Sequence, residues 1–169
     1  MSDPITRPTI DDEKLALIGR LRTERQRHIA ALRDLDLRAV VHAESGWRVQ
    51  DLLSHLARWE REALATVQAF SAGEVYRQGE PLDRDAFNAQ AYASARDHFP
   101  EQARIGWGMV RRDLQFAIHD VPADRFDEPL EFPWGGRGTL HALVAFVLDH
   151  EAAHVREILG ARPADPATE

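Results

Sequence analysis

The chain has 169 residues, a formal net charge of −7 and no cysteine. Its length fits one domain over residues 1–169, and the lack of cysteine excludes disulfides, thiolate metal ligands and a cysteine nucleophile. The negative charge argues against a nucleic-acid surface, which needs a basic face. Because no apolar run approaches 18 residues and the N-terminus lacks an apolar signal core, we expect no membrane span and no secretory signal, and the lack of cysteine fits a cytoplasmic protein.

Residues 1–8 are expected to be a loose end, followed by a helix that begins near a capping-box sequence at Thr9–Asp12 and ends near Leu35. Its apolar face is predicted to consist of Leu15, Ile18, Leu21, Ile29, Leu32 and Leu35, with His28 at the border. Residues 36–47 break this pattern, and Ser45-Gly46 indicates a turn. A second helix is predicted over residues 48–70, with a strong apolar stripe on which His55 lies between Leu52 and Trp59.

Residues 71–82 predict a connection, and residues 83–97 a weaker helix. Pro100 suits the first turn of a further helix to Val121, with Ile105, Val110, Leu114, Ala117 and Ile118 on its apolar stripe. Residues 122–138 predict a loop in which Trp134 either covers a pocket or anchors packing. The last helix should begin after Thr139 and end at Gly160, leaving residues 161–169 as a second loose end. No stretch shows the strand pattern, so the sequence predicts an all-α fold with four main helices.

The last helix carries a candidate metal site. His150 and His154 continue the inward series formed by Leu143, Val147 and Ile158, so their rings should lie on the same helix face. Neutral imidazoles four residues apart can bind one metal ion together. The alternative is two core histidines, each with a buried hydrogen-bond partner.

On the second helix, His55 is the best candidate for a third ligand. Asp51 and Glu60 flank it, either as acceptors that orient its ring or as solvated carboxylates. His55 lies about seven residues, or roughly 10 Å, inside its helix, and the other two histidines lie about as far from the end of theirs. The depths coincide if the two helices are antiparallel, whereas an up-down-up-down bundle would make them parallel. A shared ion therefore favours an up-down-down-up four-helix bundle with residues 71–99 as its one crossover.

Three stretches carry a resemblance to a known family. Trp47, the sequence DLLSHLARWE over residues 51–60 and His150-x-x-x-His154 resemble the motifs of the DinB/YfiT-like superfamily of metalloenzymes. The HLxxWE form and the stretch from Phe87-Asn88 to Tyr92 resemble its ClbS/DfsB branch. The family usually has Ser or Thr where this chain has Arg48, which weakens the cap of the second helix.

The resemblance implies an up-down-down-up bundle, usually a homodimer, with a divalent ion on three histidines. Relatives include transferases and isomerases that use low-molecular-weight thiols. The ClbS-like branch implies hydrolysis or sequestration of reactive electrophiles, a role in stress or detoxification.

Three functions stay open from the sequence. The first is an enzyme in which His55, His150 and His154 hold a divalent ion, Zn²⁺ before Ni, Mn or Fe. The ion would activate water or a low-molecular-weight thiol against a small electrophilic molecule, with Glu60 or Glu151 as base. The second is a non-catalytic bundle that sequesters a hydrophobic toxin or metabolite. The third is a structural interaction module with core histidines.

Overall fold

The computed structural model describes residues 8–76, 83–95 and 99–161, and helices make up most of this part of the chain. They are α1 (Ile10–Ala31), α2 (Val49–Ser71), α3 (Arg84–Ala95), α4 (Pro100–His119) and α5 (Leu140–Gly160). The all-α class is therefore confirmed. Most of the predicted loose ends, residues 1–7 and 162–169, lie outside the described residues. None of the described helices has both the length and the apolar run needed to cross a membrane.

The first helix begins as its capping sequence predicts. The Asp12 backbone N–H donates to Thr9 Oγ1 at 3.2 Å, and the Thr9 backbone N–H donates to the Asp12 carboxylate at 2.9 Å. The predicted end near Leu35 is wrong, because α1 ends at Ala31.

The buried face of α1 also differs from the prediction. Leu15 and Ile29 are 62% and 41% exposed. The predicted Leu21 and Leu32 are buried, and the other buried positions of α1 are Lys14, Leu17, Arg25 and His28. The prediction counted apolar residues alone and so missed a face that carries three polar side chains. Ile105 on α4 was assigned to a buried stripe for the same reason and is 58% exposed, whereas Val110, Leu114, Ala117 and Ile118 are buried.

Two short hairpins overturn the prediction that the chain has no strands. In the first, β1 (Val40–His42) pairs antiparallel with β2 (Trp47–Arg48), and Gly46 makes the predicted turn with φ of +73°. In the second, β3 (Leu130–Glu131) pairs with β4 (Arg137–Gly138). Strands of two or three residues are too short to show an alternating pattern, which explains the wrong prediction. The hairpins carry His42, Trp47 and Trp134 to the helices that hold the histidines.

Two apolar clusters form the core, and both draw on α2, α4 and α5, with the first adding residues of α1 and the second Leu32, which directly follows α1. The first contains Leu17 and Leu21 of α1, Ala63, Val67 and Phe70 of α2, Leu114, Ala117 and Ile118 of α4, and Leu140, Leu143, Val144, Val147 and Leu148 of α5. The second contains Leu32 beyond α1, Leu52, Leu53 and Leu56 of α2, Ala103, Trp107 and Val110 of α4, and Val155 and Ile158 of α5. On each of the four long helices, polar and buried residues lie between the clusters, namely Arg25, His28, Glu60, Arg111 and Glu151. A polar layer therefore crosses the middle of the core.

Candidate metal centre

Three histidine rings converge where the early part of α2 meets the late part of α5. Nε2 of His55 and Nε2 of His154 each lie 3.2 Å from Nε2 of His150. One ligand atom from each residue lies within 4.8 Å of the others. Two nitrogens bound about 2.0 Å from one tetrahedral ion are separated by about 3.3 Å, so the two spacings of 3.2 Å suit a shared ion. The structure thus brings together the three histidines that the sequence selected.

Two of the rings are held in the neutral form that binds metal. Burial, with the neighbouring His154 and His150, lowers the pKa of His55 to about 3. Burial and His154 lower the pKa of His150 to about 4, although Glu157 and Glu151 oppose this shift. Both rings are therefore deprotonated at pH 7 and offer nitrogen lone pairs.

Glu157 orients the third ring. Its Oε2 lies 2.9 Å from His154 Nδ1 and 3.1 Å from His42 Nε2. Because a carboxylate accepts, Nδ1 of His154 carries the proton and Nε2 keeps its lone pair for the cluster. Burial raises the pKa of Glu157, but the hydrogen bonds and charges of His154 and His42 outweigh burial and lower it.

The sequence reading missed both Glu157 and His42. Glu157 follows His154 by three residues, so helix spacing gave a signal for it. His42 lies 115 positions from Glu157, on a hairpin that gives no local signal.

Asp51 does not orient His55 in the described structure. Its Oδ2 instead accepts the backbone N–H of Arg48 at 2.9 Å, at the start of α2. The Arg48 side chain makes no cap hydrogen bond, as the departure from Ser or Thr led us to expect. Nδ1 of His55 is buried and has no hydrogen-bond partner among the described residues. This ring is therefore positioned by packing. It makes edge contacts with Trp47, at 5.6 Å between ring centres, and with Trp59, at 6.4 Å between ring centres.

The candidate bases Glu60 and Glu151 lie in the polar layer, bound to arginines. Arg25 Nη2 donates to Glu60 at 2.6 Å, and its Nε donates to Glu151 at 2.8 Å. Arg111 donates to Glu60 through Nε and to Glu151 through Nη2. His28 does not join the three-histidine cluster, and its Nδ1 lies 2.9 Å from Glu151 Oε1. We call these five residues the charge cluster.

The charge cluster bears on the catalytic role predicted for the two glutamates. Burial raises the pKa of Glu151, but His28, Arg111 and Arg25 together outweigh burial and lower it to about 2. A carboxylate with so low a pKa is a weak base near neutral pH. Catalysis by either Glu60 or Glu151 stays a prediction, and the contacts favour a positioning role.

A pocket of about 460 Å³ opens onto the three histidines. Its other lining residues are His42, Trp47, Leu52, Trp59, Arg84, Asn88, Trp134 and Phe146. Trp134 stacks on Phe146 with ring centres 3.8 Å apart, and Phe146 lies 5.8 Å from the His150 ring. Trp134 therefore packs on α5, as one of the two predicted roles requires, and it also lines the pocket.

Comparison with known proteins agrees with the resemblance. A family model described as the DinB superfamily matches residues 17–158. No curated protein and no solved structure matches the chain. The matched residues make up most of the chain and include all three histidines of the cluster. The chain therefore belongs to the DinB superfamily.

Proposed function

We propose that this protein is a divalent-metal-dependent enzyme that acts on a small electrophilic molecule, by transfer of a low-molecular-weight thiol or by hydrolysis. The observation that carries the proposal is the convergence of three imidazole nitrogens beside a pocket of about 460 Å³. Three neutral nitrogen ligands leave at least one coordination position for water or substrate. Zn²⁺ suits this donor set best, with Ni, Mn and Fe as alternatives.

When bound, the ion would lower the pKa of a coordinated water or thiol, so that hydroxide or thiolate exists near neutral pH. Because the chain has no cysteine, the sulfur for thiol transfer would come from a co-substrate. Glu157 fixes the tautomer of His154 and so the direction of its lone pair. The aromatic side chains of the pocket would exclude water from the electrophile.

We also infer that the four long helices form an up-down-down-up bundle, with α3 in the crossover. Lys14 Nζ donates to the His119 carbonyl at 3.2 Å, which joins the start of α1 to the end of α4. The start of α1 also meets the start of α5, where Glu13 lies 3.6 Å from His141. The histidine cluster joins the early part of α2 to the late part of α5. These contacts support antiparallel α1 and α4, parallel α1 and α5, and antiparallel α2 and α5.

A second function is favoured by the composition of the pocket walls. Three tryptophans and a phenylalanine line the pocket, a surface that suits an apolar guest even without catalysis. Under this alternative the protein sequesters a hydrophobic toxin or metabolite, and metal is dispensable for binding. The two functions therefore differ in what happens when a histidine is removed.

The test compares the wild type with His154→Ala. Glutathione, mycothiol and bacillithiol are each offered with a panel of electrophiles, and water alone is the fourth arm. The matched control is His119→Ala, because the His119 side chain is 68% exposed and lies outside the cluster. We expect His154→Ala to lose turnover and His119→Ala to keep it. Equal rates for wild type and His154→Ala, with secondary structure intact, would remove the metal from the reaction and favour sequestration.

A further inference from the structure

Helix α3 forms one wall of the pocket and is fixed against α2 by specific contacts. The Phe87 ring is buried and lies 4.9 Å from the Trp59 ring. Trp59 Nε1 donates to Asn88 Oδ1 at 3.1 Å. Arg58 places its guanidinium 4.1 Å from the centre of the Phe87 ring and donates to Gln90 at 2.6 Å. The face of α3 that reaches the pocket is therefore held in one orientation.

That face presents two hydrogen-bond donors to the pocket. Arg84 and Asn88 are one helical turn apart, and both line the pocket. Since Asn88 Oδ1 already accepts from Trp59, its Nδ2 group is left to donate. Arg84 is exposed, and the neighbouring Asp83 carboxylate accepts the backbone N–H groups of residues 85 and 86. The Arg84 guanidinium and the Asn88 amide group thus lie on the same wall, and the described residues that line the pocket include no carboxylate.

The rest of the pocket favours a flat ligand. Trp47 stacks on Tyr92 with ring centres 5.2 Å apart and an interplanar angle of 8°, so its ring is held rigid. Trp134 and Phe146 form a second stacked pair, at an angle of 25°. Rigid indole and phenyl rings bind planar conjugated groups through offset stacking and edge contacts. The volume of about 460 Å³ lies within the range of small-molecule sites, about 300–1000 Å³.

We propose that the pocket binds a planar conjugated or aromatic carboxylic acid. Arg84 and Asn88 bind its carboxylate, the aromatic rings contact its flat body, and its far end faces the three histidines. A guanidinium binds a carboxylate through two parallel N–H···O bonds, and Arg84 is the one arginine among the described residues that line this pocket. A single cation matches one negative charge, which favours a carboxylate over a phosphate. The inference rests on the proposed function only for the reaction at the end of the ligand that faces the three histidines.

The probe is trans-cinnamate, with cinnamamide as its uncharged counterpart and 3-cyclohexylpropanoate as its non-planar one. Calorimetry on the zinc-loaded full chain measures binding to the wild type, Arg84→Gln and Arg84→Lys, with Arg20→Gln on the exposed face of α1 as control. We expect Arg84→Gln to weaken cinnamate binding about fivefold to tenfold and to leave cinnamamide binding unchanged. Arg84→Lys should fall between, Arg20→Gln should match the wild type, and 3-cyclohexylpropanoate should bind the wild type more weakly than cinnamate.

Equal cinnamate affinity in the wild type and Arg84→Gln, with α-helical circular dichroism unchanged, would overturn the proposal. It would also be overturned if His154→Ala abolished cinnamate binding and Arg84→Gln did not, because the carboxylate would then bind the metal. Failure of the proposed function gives a different result. If the wild type bound no zinc but still distinguished cinnamate from cinnamamide through Arg84, the recognition site would stand and the metalloenzyme would not.

Discussion

The histidine cluster, formed by His55, His150 and His154, is adjacent to the charge cluster. The two clusters differ in whether their polar groups find hydrogen-bond partners within the cluster. His150 belongs to the first and Glu151, the next residue of α5, belongs to the second. In the charge cluster, arginine donors and carboxylate acceptors match, and Arg25, Glu60, Arg111 and Glu151 are each at most 4% exposed. In the histidine cluster, three ring nitrogens face one another beside an open pocket, and two of the rings have pKa values of about 3 and 4.

In this protein, burial alone does not mark a functional residue. The charge cluster is buried and its described members are paired with one another, so its chemistry is complete without a ligand. The histidine cluster gathers lone pairs that neutral rings cannot all satisfy among themselves. We therefore propose that the charge cluster serves stability and positioning, and that the histidine cluster binds a ligand.

The largest expected effect is on stability, from breaking the charge cluster. Arg111→Met leaves two buried carboxylates with one fewer cation, and should lower the free energy of unfolding by about 3–5 kcal/mol. Urea unfolding of the metal-free protein measures this change. Arg112→Met is the matched control, because its side chain is 62% exposed, and it should change stability by less than about 0.5 kcal/mol. A loss as small as that of the control would show that the cluster is not structural.

As the pH falls, the two clusters should lose their contributions to the free energy of unfolding in different pH ranges. Below their ordinary pKa of 6.5, His55 and His150 take up protons in the unfolded chain before the folded one, so the metal-free protein loses stability as pH falls from 6.5 toward 4. Each such histidine contributes a slope of at most about 1.4 kcal/mol per pH unit. Glu151 adds its loss only below its ordinary pKa of 4.5, as pH falls toward 2.

Unfolding at a series of pH values checks this order, with His55→Gln as the comparison. In that variant, the free energy of unfolding should depend less steeply on pH between 6.5 and 4.5, and it should still fall at lower pH. The same slope in both proteins would contradict the assignment of neutral rings to the histidine cluster.

A smaller effect should follow from loosening the third ring of the histidine cluster. Glu157→Gln removes the charge that holds His154, and should weaken zinc binding about tenfold. Glu101→Gln is the control, since Glu101 also contacts a residue three positions away but lies on the surface of α4. Competition with a fluorescent zinc chelator measures both affinities. If Glu157→Gln bound zinc as tightly as Glu101→Gln, the carboxylate would have no part in orienting the ring.

The smallest expected change alters stability without altering either cluster. Arg48→Ser provides the side-chain cap that α2 lacks, and should raise the free energy of unfolding by about 0.5–1 kcal/mol. Zinc affinity should stay unchanged, because the ligand positions on α2 and α5 do not move. Thermal unfolding and the same chelator competition measure the two quantities. A change in zinc affinity with this variant would mean that helix stability, rather than ligand identity, controls the site.

The sequence predicted what depends on local spacing. The bounds of α2 and α5 and the inward direction of His55, His150 and His154 follow from helical periodicity, and the structure agrees closely. The sequence did not predict the features that depend on tertiary contacts. Arginine is mostly found at protein surfaces. Arg25 and Arg111 can be buried only because they pair with carboxylates on other helices.

The pocket shows the same limit. His42 and Trp47 come from a hairpin whose strands are two or three residues long, and Arg84 comes from a helix with a weak pattern. Their partners lie on other elements, at separations that no local pattern encodes. The resemblance, rather than periodicity, points to Trp47 and to the stretch of α3 from Phe87-Asn88 to Tyr92.

The most direct test of the central claim is the metal content of protein purified without a histidine tag. We expect the wild type, dialysed after exposure to zinc, to hold about one ion per chain by elemental analysis. His154→Ala, with the same helical content, should hold less than about a tenth of that amount, because two nitrogens bind far more weakly than three. Wild type that holds no metal, or His154→Ala that holds as much as the wild type, would contradict a shared ion on His55, His150 and His154.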